Sequence, residues 1–548
     1  MNPEPDSTRT AGIPDPADGE MRPDSPAAAT VQADPADGSS YLSHRAIIQV
    51  LIGLMAGMFL AALDQSIVGT ALPRIVSDLG GLEHLSWVVT AYLLTSTAST
   101  PLWGKISDLY GRRPMFQTAI IIFLIGSLIA GASTSMAMLI GGRAVQGLGG
   151  GGLIALALAI IGDIIPPRER GKYQGMFGAV FGVSSIAGPL LGGFFTDGPG
   201  WRWIFWLNIP IGLAALFITS RALQMPVVRR EHRIDYLGAA VVVGSVTSLL
   251  LYTSWAGTCY GWTAPLSLVL LIGGLMLAVA FVFVEQRAEE PIIPMRLFRL
   301  PVFRWSVLFA FLMGMAMFGA IIYLPIYLQV VKGYTPTESG LALLPMVLGM
   351  FVTSIGSGLL VTRTGRYRIY PILGAFITLG AIFLVSRLQL DTPYWQFAVY
   401  TFALGAGLGF TMQTVVTAVQ NAVPMRDLGS STSSVTFFRS MGGAFGAAVV
   451  GAVLTSRLAH YLAAAFPGGS AAVGGATSDL RQIAALPEQV KVPVLEAFMQ
   501  ALQDAFLVAV PFVAIAVVVS FLIPEVPLRT RQQGESEPLG EPAPLAVE

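Results

Sequence analysis

The chain is 548 residues long, with 54% hydrophobic and 12% charged residues and equal totals of 32 basic and 32 acidic side chains. An average soluble chain carries about 25% charged residues, so this composition, with a mean hydropathy of +0.68, excludes soluble enzymes and nucleic-acid-binding proteins and indicates a polytopic membrane protein. One cysteine, Cys259, rules out an internal disulfide, and the scattered His44, His84, His232 and His460 offer no metal-ligand spacing, so no metal, cofactor or enzymatic chemistry is expected.

Residues 1–40 hold seven prolines, eight acidic residues and two basic ones, too little apolar surface to offset ordering entropy. This predicts a disordered tail over 1–44 without the basic-then-apolar pattern of a cleaved signal peptide. Fourteen apolar runs follow, over 46–72, 85–103, 115–134, 137–160, 174–195, 202–220, 236–256, 265–284, 305–329, 340–361, 370–386, 395–417, 433–456 and 505–523. Each can cross a hydrocarbon core of about 30 Å as a helix, so the expected fold class is an all-α polytopic membrane protein. With both termini placed in the cytoplasm, the inner loops and helix ends carry 21 Lys and Arg against 7 outside, the bias that retention of positive charge produces.

In chain order, the first span contains Asp64, the only acid expected deep in the membrane, nine residues from Pro73 at the outer end and so about 14 Å in. The second begins with Trp87 and Tyr92 and runs into the loop GKISDLYGRRP, Gly104 to Pro114, where Gly104, Asp108, Gly111, Arg112 and Arg113 combine tight approach with charge. On charge alone, that loop serves topology equally well. Arg143 in the fourth span lies eight residues from Ser135, about 12 Å deep. It therefore matches Asp64 in depth. A buried acid beside a fixed cation is either a static ion pair or a pair balanced to bind and release a proton. The fifth span reads GVSSIAGPLLGG, with Gly182, Gly188, Pro189, Gly192 and Gly193. Its proline bends the helix, and its glycines make a surface for close packing.

Spans seven and eight read as an insert, because Gly104, Asp108, Gly111 and Arg112 recur as Gly358, Thr362, Gly365 and Arg366, each 254 residues later. Two six-span halves around that insert give 6+2+6, with boundaries 45–221, 222–304 and 305–523 and a tail at 524–548. Parallel repeats of this kind build transporters with a central site and alternating access. The ninth span offers Met313, Met315, Met317, Phe318, Tyr323 and Tyr327, side chains suited to a forgiving pocket but equally at home in a core. Arg439 in the thirteenth span could touch substrate, pair transiently with Asp64, or snorkel to the inner interface. Trp87, Tyr92, Met317, Tyr323, Tyr327 and Arg439 are the candidate lining of a substrate cavity. Between spans thirteen and fourteen, 458–503 reads as an external loop in which Asp479–Leu486 and Val494–Ala505 form short amphipathic helices, able to engage an envelope partner. No GxxxxGK[ST] loop is present, so ATP hydrolysis has no support.

The loop at Gly104 to Pro114 resembles the signature of the major facilitator superfamily, and the fifth-span glycines resemble the motif that separates drug:proton antiporters from sugar carriers within it. LDQSIVGTALP at 63–73, LIGGRAVQGLGGGG at 139–152, WRWIFWLNIP at 201–210 and YLPIYLQVVKGYTPTESGLALLP at 323–345 extend the resemblance to the fourteen-span drug:proton antiporter family. The second loop departs by carrying Thr362 in place of the acid, which confines any charge latch to one half. The resemblance implies a major facilitator fold, a proton-coupling acid at Asp64, a relay arginine at Arg143, and a conformational latch at Gly104, Asp108, Gly111, Arg112 and Arg113. It implies a monomeric, proton-driven exporter of lipophilic small molecules in the cytoplasmic membrane of a bacterium, an origin that 28 arginines against four lysines also suit. Export of a lipid or cell-envelope precursor, and a proton-coupled nutrient symporter, are the competing readings.

Overall fold

The computed structural model describes residues 44–79, 85–165, 167–223, 235–255, 261–466 and 487–528, and these are helical almost throughout. Helices dominate because a backbone in hydrocarbon must satisfy its polar groups within the segment. The first half comprises α1 (His44–Leu79), α2 (Leu85–Tyr110), α3 (Arg112–Gly131), α4 (Met136–Ile164), α5 (Pro167–Asp197), the single turn α6 (Trp203–Trp206) and α7 (Asn208–Ala222). Next come α8 (Tyr236–Trp255) and α9 (Pro265–Arg287). The second half holds α10 (Pro301–Ile326), the short α11 (Pro336–Ala342), α12 (Leu344–Thr364), α13 (Ile369–Val385), α14 (Tyr394–Ala422), α15 (Leu428–Ala465) and α16 (Glu488–Leu522).

Local chemistry sets several of the ends. Ser135 caps α4 by accepting from Met138 N at 3.3 Å, and Thr335 with Glu338 forms a capping box on α11. Pro265 and Pro301 open α9 and α10, where a missing backbone donor costs nothing. Gly111 (φ 94°) and Gly365 (φ 72°) end α2 and α12 at positive φ, so both copies of the loop repeat use glycine for its conformational freedom, though only Gly365 is a left-handed helical cap.

Among the described residues, twelve helical stretches are long and apolar enough to cross a membrane. Two of the fourteen expected spans fall short. The helix Ile369–Val385 has only 17 residues, and α2 is diluted by Thr95, Ser96, Thr97, Ser99 and Thr100. The span expected at 202–220 is one of the twelve, running Trp203–Ala222 with a turn at Leu207 that keeps helical dihedrals. Val494–Ala505 is not a separate surface helix. Val494, Ala497, Phe498, Ala501 and Leu502 are buried in the core of the second half, so α16 runs unbroken through Pro493. The companion segment Asp479–Leu486 lies outside the described residues, as do nearly all of both tails. Residues 524–528 are instead fastened to the bundle: Val526 N donates to the Tyr367 hydroxyl at 2.9 Å and Asn421 Nδ2 to Pro527 O at 3.1 Å.

Most helices pack on others of the same sequence half. α1 packs on α5 and α7, and α4 on α2 and α3; α10 packs on α15 and α16, and α14 on α12 and α13. α4 is buried nearly all round, and its glycines 147, 149, 150, 151 and 152 lie against the backbones and side chains of α2 and α3. By contrast, α9 exposes Val269, Ile272, Leu275, Met276, Val279 and Phe283, the face a bilayer would cover. The halves meet chiefly at two helix pairs, α5 with α12 and α2 with α15, with α4 also on α15 and α5 also on α14 and α11. The insert leans on the second of these pairs: Val242, Val246, Leu250 and Phe281 share one cluster with Ala98 and Phe437.

Candidate functional site

Three places gather the polar side chains of an otherwise apolar molecule. The deepest is inside the first half. Asp64 on α1 is fully buried and Arg143 on α4 is 1% exposed, and they form an ion pair through Nη1 and Oδ2. Burial of a charge is expensive unless its hydrogen bonds are satisfied, and here neighbouring helices supply them. Gln146 Nε2 donates to Asp64 Oδ1 at 3.0 Å, and Asn208 Nδ2 donates to the same oxygen at 3.1 Å. Both amides also reach Ser127 Oγ, at 3.1 and 2.9 Å. Arg143 in turn donates through Nε to Val88 O at 3.1 Å and through Nη1 to Gln146 Oε1 at 2.9 Å, while its guanidinium lies 4.4 Å from the centre of the Tyr92 ring. The result is a connected network on α1, α2, α3, α4 and α7.

The second place lies at the arginine-rich end of the bundle, where α2 meets α15. Arg112 bonds Asp108 Oδ1 at 2.6 Å and Asp163 Oδ2 at 2.6 Å. The other oxygen of Asp108 crosses to the second half, accepting from Ser430 N at 3.0 Å and Ser430 Oγ at 3.1 Å. Ser430 is in the first turn of α15, whose amide donors have no partners within the helix and favour a negative charge. Gly104 is a crossing point: a side chain there would run into Ser433 and Gly429 O of α15. Arg113 faces away and donates to Ser220 O at 2.6 Å, within its own half. In the second copy of the loop, Thr362 Oγ1 donates back to Gly358 O of its own helix at 2.9 Å, and Arg366 is exposed. A further link joins the halves nearby. Gln420 Nε2 donates to Leu158 O and to Thr432 Oγ1, both at 3.0 Å, and buried Arg170 reaches Gln420 O at 3.4 Å.

The linker between α9 and α10 straps this end from outside. Glu285 holds its turn by accepting from Ile292 N and Ile293 N, both at 3.2 Å. Glu290 pairs with Lys105 of the first half, and Arg296 with Asp427 of the second at 2.8 Å.

The α5 motif lies on the other seam. Gly188 packs so closely on Ser66 of α1 that a side chain would overlap it, and Ser66 Oγ donates to Ser184 O at 2.8 Å. Gly182 faces Val347 of α12, Pro189 lies beside Gly340, and Gly193 faces Thr337. Gly192 is buried and its carbonyl accepts from Thr196 Oγ1 at 2.6 Å. One helix thus binds its own half on one side and the opposite half on the other.

The third place is a cavity of about 20 Å³ in the second half, lined by Met313, Met317, Met412, Thr411, Phe309 and Arg439 among others. Arg439 does not snorkel; it is 8% exposed. Of the side chains expected to line a substrate cavity, Met317 and Arg439 come together here. Tyr92 belongs to the Asp64 network, and Trp87 packs edge-on against Trp255 of α8 with ring centres 5.6 Å apart. Tyr323 donates to Ala447 O at 2.9 Å and Tyr327 to Gln389 O at 3.0 Å, so both fasten helices rather than line this cavity.

Sequence reasoning missed Gln146, Asn208 and Ser127 around the acid, and Asp163, Ser430 and Gln420 at the seam. A usable signal existed for Gln146 alone, three residues from Arg143 and thus on the same helix face.

This architecture, two helical halves meeting at two seams with a buried ion pair inside one of them, defines a class of membrane transporters rather than of enzymes. The Major Facilitator Superfamily profile matches residues 54–235 and 225–447. The chain is 40% identical to an uncharacterized MFS-type transporter of Mycobacterium tuberculosis over 496 residues, covering 90% of this chain and 71% of that one. It is 40% identical to the multidrug transporter protein MdtP of Bacillus subtilis over 415 residues, covering 75% and 76%. Among solved structures, the proton:xylose symporter XylE aligns with a TM-score of 0.60 at 12% identity, over 90% of this chain and 99% of that one, which bears on the fold alone. The chain belongs to the major facilitator superfamily, with drug-efflux proteins among its relatives.

Proposed function

We propose that the protein is a proton-driven exporter of lipophilic or amphipathic compounds working by alternating access, with α2 and α13 completing fourteen membrane helices arranged 6+2+6. The domains run 45–221, 222–304 and 305–523, and both tails and the arginine-rich end face the cytoplasm. The chain works as a monomer. The observation that carries this reading is the fully buried Asp64, held by side chains on α4 and α7 that can each be withdrawn by a small helix movement. Taking up a proton there cancels the attraction for Arg143 and frees the guanidinium to seek other partners, which couples protonation to geometry.

The Asp108–Ser430 contact would hold the cytoplasmic end closed while the outer side opens. A lipophilic or amphipathic compound entering between the halves in the alternate state would leave outward as Asp64 is protonated from outside. Relatives named as multidrug transporters support drugs as the substrate class, and the α5 glycine motif supports antiport over symport. Proteoliposomes with an imposed pH gradient and ethidium test this: gradient-dependent ethidium movement with counterflow of protons is expected, and movement indifferent to the gradient would refute coupling.

A further inference from the structure

Arg439 lies in the interior of the second half with no hydrogen-bond or ion-pair partner among the described residues. Its charge cannot be shed, since a guanidinium stays protonated in proteins. No acid lines the cavity it faces, and the one hydroxyl there, Thr411 Oγ1, already donates its proton to Leu408 O at 2.9 Å and can only accept. Among the other buried arginines of the described residues, Arg143 faces Asp64, Arg112 faces Asp108 and Asp163, and Arg170 donates to the backbone carbonyls of Ile165, Gly162 and Gln420. A buried cation that the protein leaves unmatched, at the edge of a cavity walled by adaptable methionines, is half of an ion pair whose other half comes from outside the chain.

We propose that Arg439 and this cavity bind the anionic head, carboxylate or phosphate, of an amphipathic ligand whose apolar part lies among Phe309, Met313, Met317 and Met412. The guanidinium fork offers two parallel donors to such a head, which a neutral or cationic head cannot accept as well. The cavity holds about one water-sized group, so only the head is accommodated as the walls stand, and the unbranched methionines give way to the tail. The exporter reading is needed for the claim that the ligand is carried, and not for the claim that it binds.

The test is equilibrium binding of radiolabelled decanoate to the full chain in nanodiscs of phosphatidylcholine, with empty discs as blank. Decanoate binds the wild type, and Arg439→Gln weakens it about tenfold or more, the scale of a lost charged hydrogen bond. Arg439→Lys retains part of the affinity, and decanol binding changes by less than about twofold in either variant. On the wild type, decyl phosphate displaces decanoate and decyltrimethylammonium does not, a comparison that stands even if the variants fold poorly. Equal displacement by the cation, or equal loss of decanoate and decanol in Arg439→Gln, overturns the proposal. Discs containing phosphatidylglycerol separate the sources: competition there makes a lipid headgroup the natural anion, and its absence makes the anion a transported solute. Ethidium export by the wild type reads the exporter proposal independently, so either can fail alone.

Discussion

Asp64 accepts from Arg143, Gln146 and Asn208 at once, and no neighbour donates a replaceable negative charge. Asp64→Asn should therefore abolish proton-coupled export while leaving expression and insertion intact, since the amide keeps the shape but cannot exchange a proton. Substrate-induced proton release that persists in the variant would remove Asp64 from the mechanism. Gln146→Ala makes a finer test. It deletes one neutral donor to the acid and one acceptor for Arg143, at a cost of about 1–3 kcal/mol for groups left unpaired. A lower thermal midpoint in detergent and a shifted pH dependence of transport are expected, whereas an unchanged pH profile would make Gln146 a packing residue. At this scale, the sequence showed the charges and hid their company. A lone Asp or Arg stands out in an apolar run because burying it is costly. Glutamine, asparagine and serine cost far less, and Ser127 and Asn208 look like any other polar residue in a helix.

Among the elements, α5 carries a glycine that a single methyl group would misplace against α1. At Gly188 a side chain would meet Ser66 backbone carbon at 2.9 Å, a contact that no rotamer change relieves. Gly188→Val should thus impair both transport and thermal stability, and Pro189→Leu, beside open-faced Gly340, should impair transport with a smaller stability loss. Wild-type export by both would make the motif decorative. The existence and order of the helices were legible from runs of apolar residues. Their ends were not, because helices here continue past the hydrocarbon wherever a partner remains to pack on. The outer turns of α16 were mistaken for a surface helix because the pair Pro487 and Pro493 reads as punctuation, while burial of Phe498 and Leu502 against the second half overrides it.

For the whole molecule, the chemistry at the arginine-rich end is lopsided. Asp108 grips the first turn of α15, while its counterpart Thr362 bonds within its own helix. Asp108→Asn should shift the balance between the two access states far more than Thr362→Ala, since a charged hydrogen bond contributes about 1.5–3 kcal/mol, a tenfold or greater shift. Labelling of single cysteines placed in each cavity, after Cys259 is replaced, reads the shift directly. Equal changes in the two variants, or none for Asp108→Asn, would mean the loop serves topology alone. The repeat that announces this asymmetry was plain in the sequence, but the grip itself joins residues 322 positions apart, and no local pattern records such a meeting.

The strap across that end sets a limit of another kind. Its anchors, Glu290 and Arg296, are six residues apart, and six residues pulled taut reach about 20 Å. As long as both anchors hold, the linker is a leash whose length caps how far the two halves can part at this mouth. Any wider gape requires one anchor to slip. The more exposed Arg296, 54% solvent-accessible against 14% for Lys105, is the one that water and salt loosen first. The size of the largest cargo admitted from this side is then partly a matter of chain length rather than of pocket chemistry. Glycine-serine residues inserted between Ile293 and Met295 should widen the range of compounds exported, measured as the bulk of the largest dye cleared, without altering affinity for the small ones.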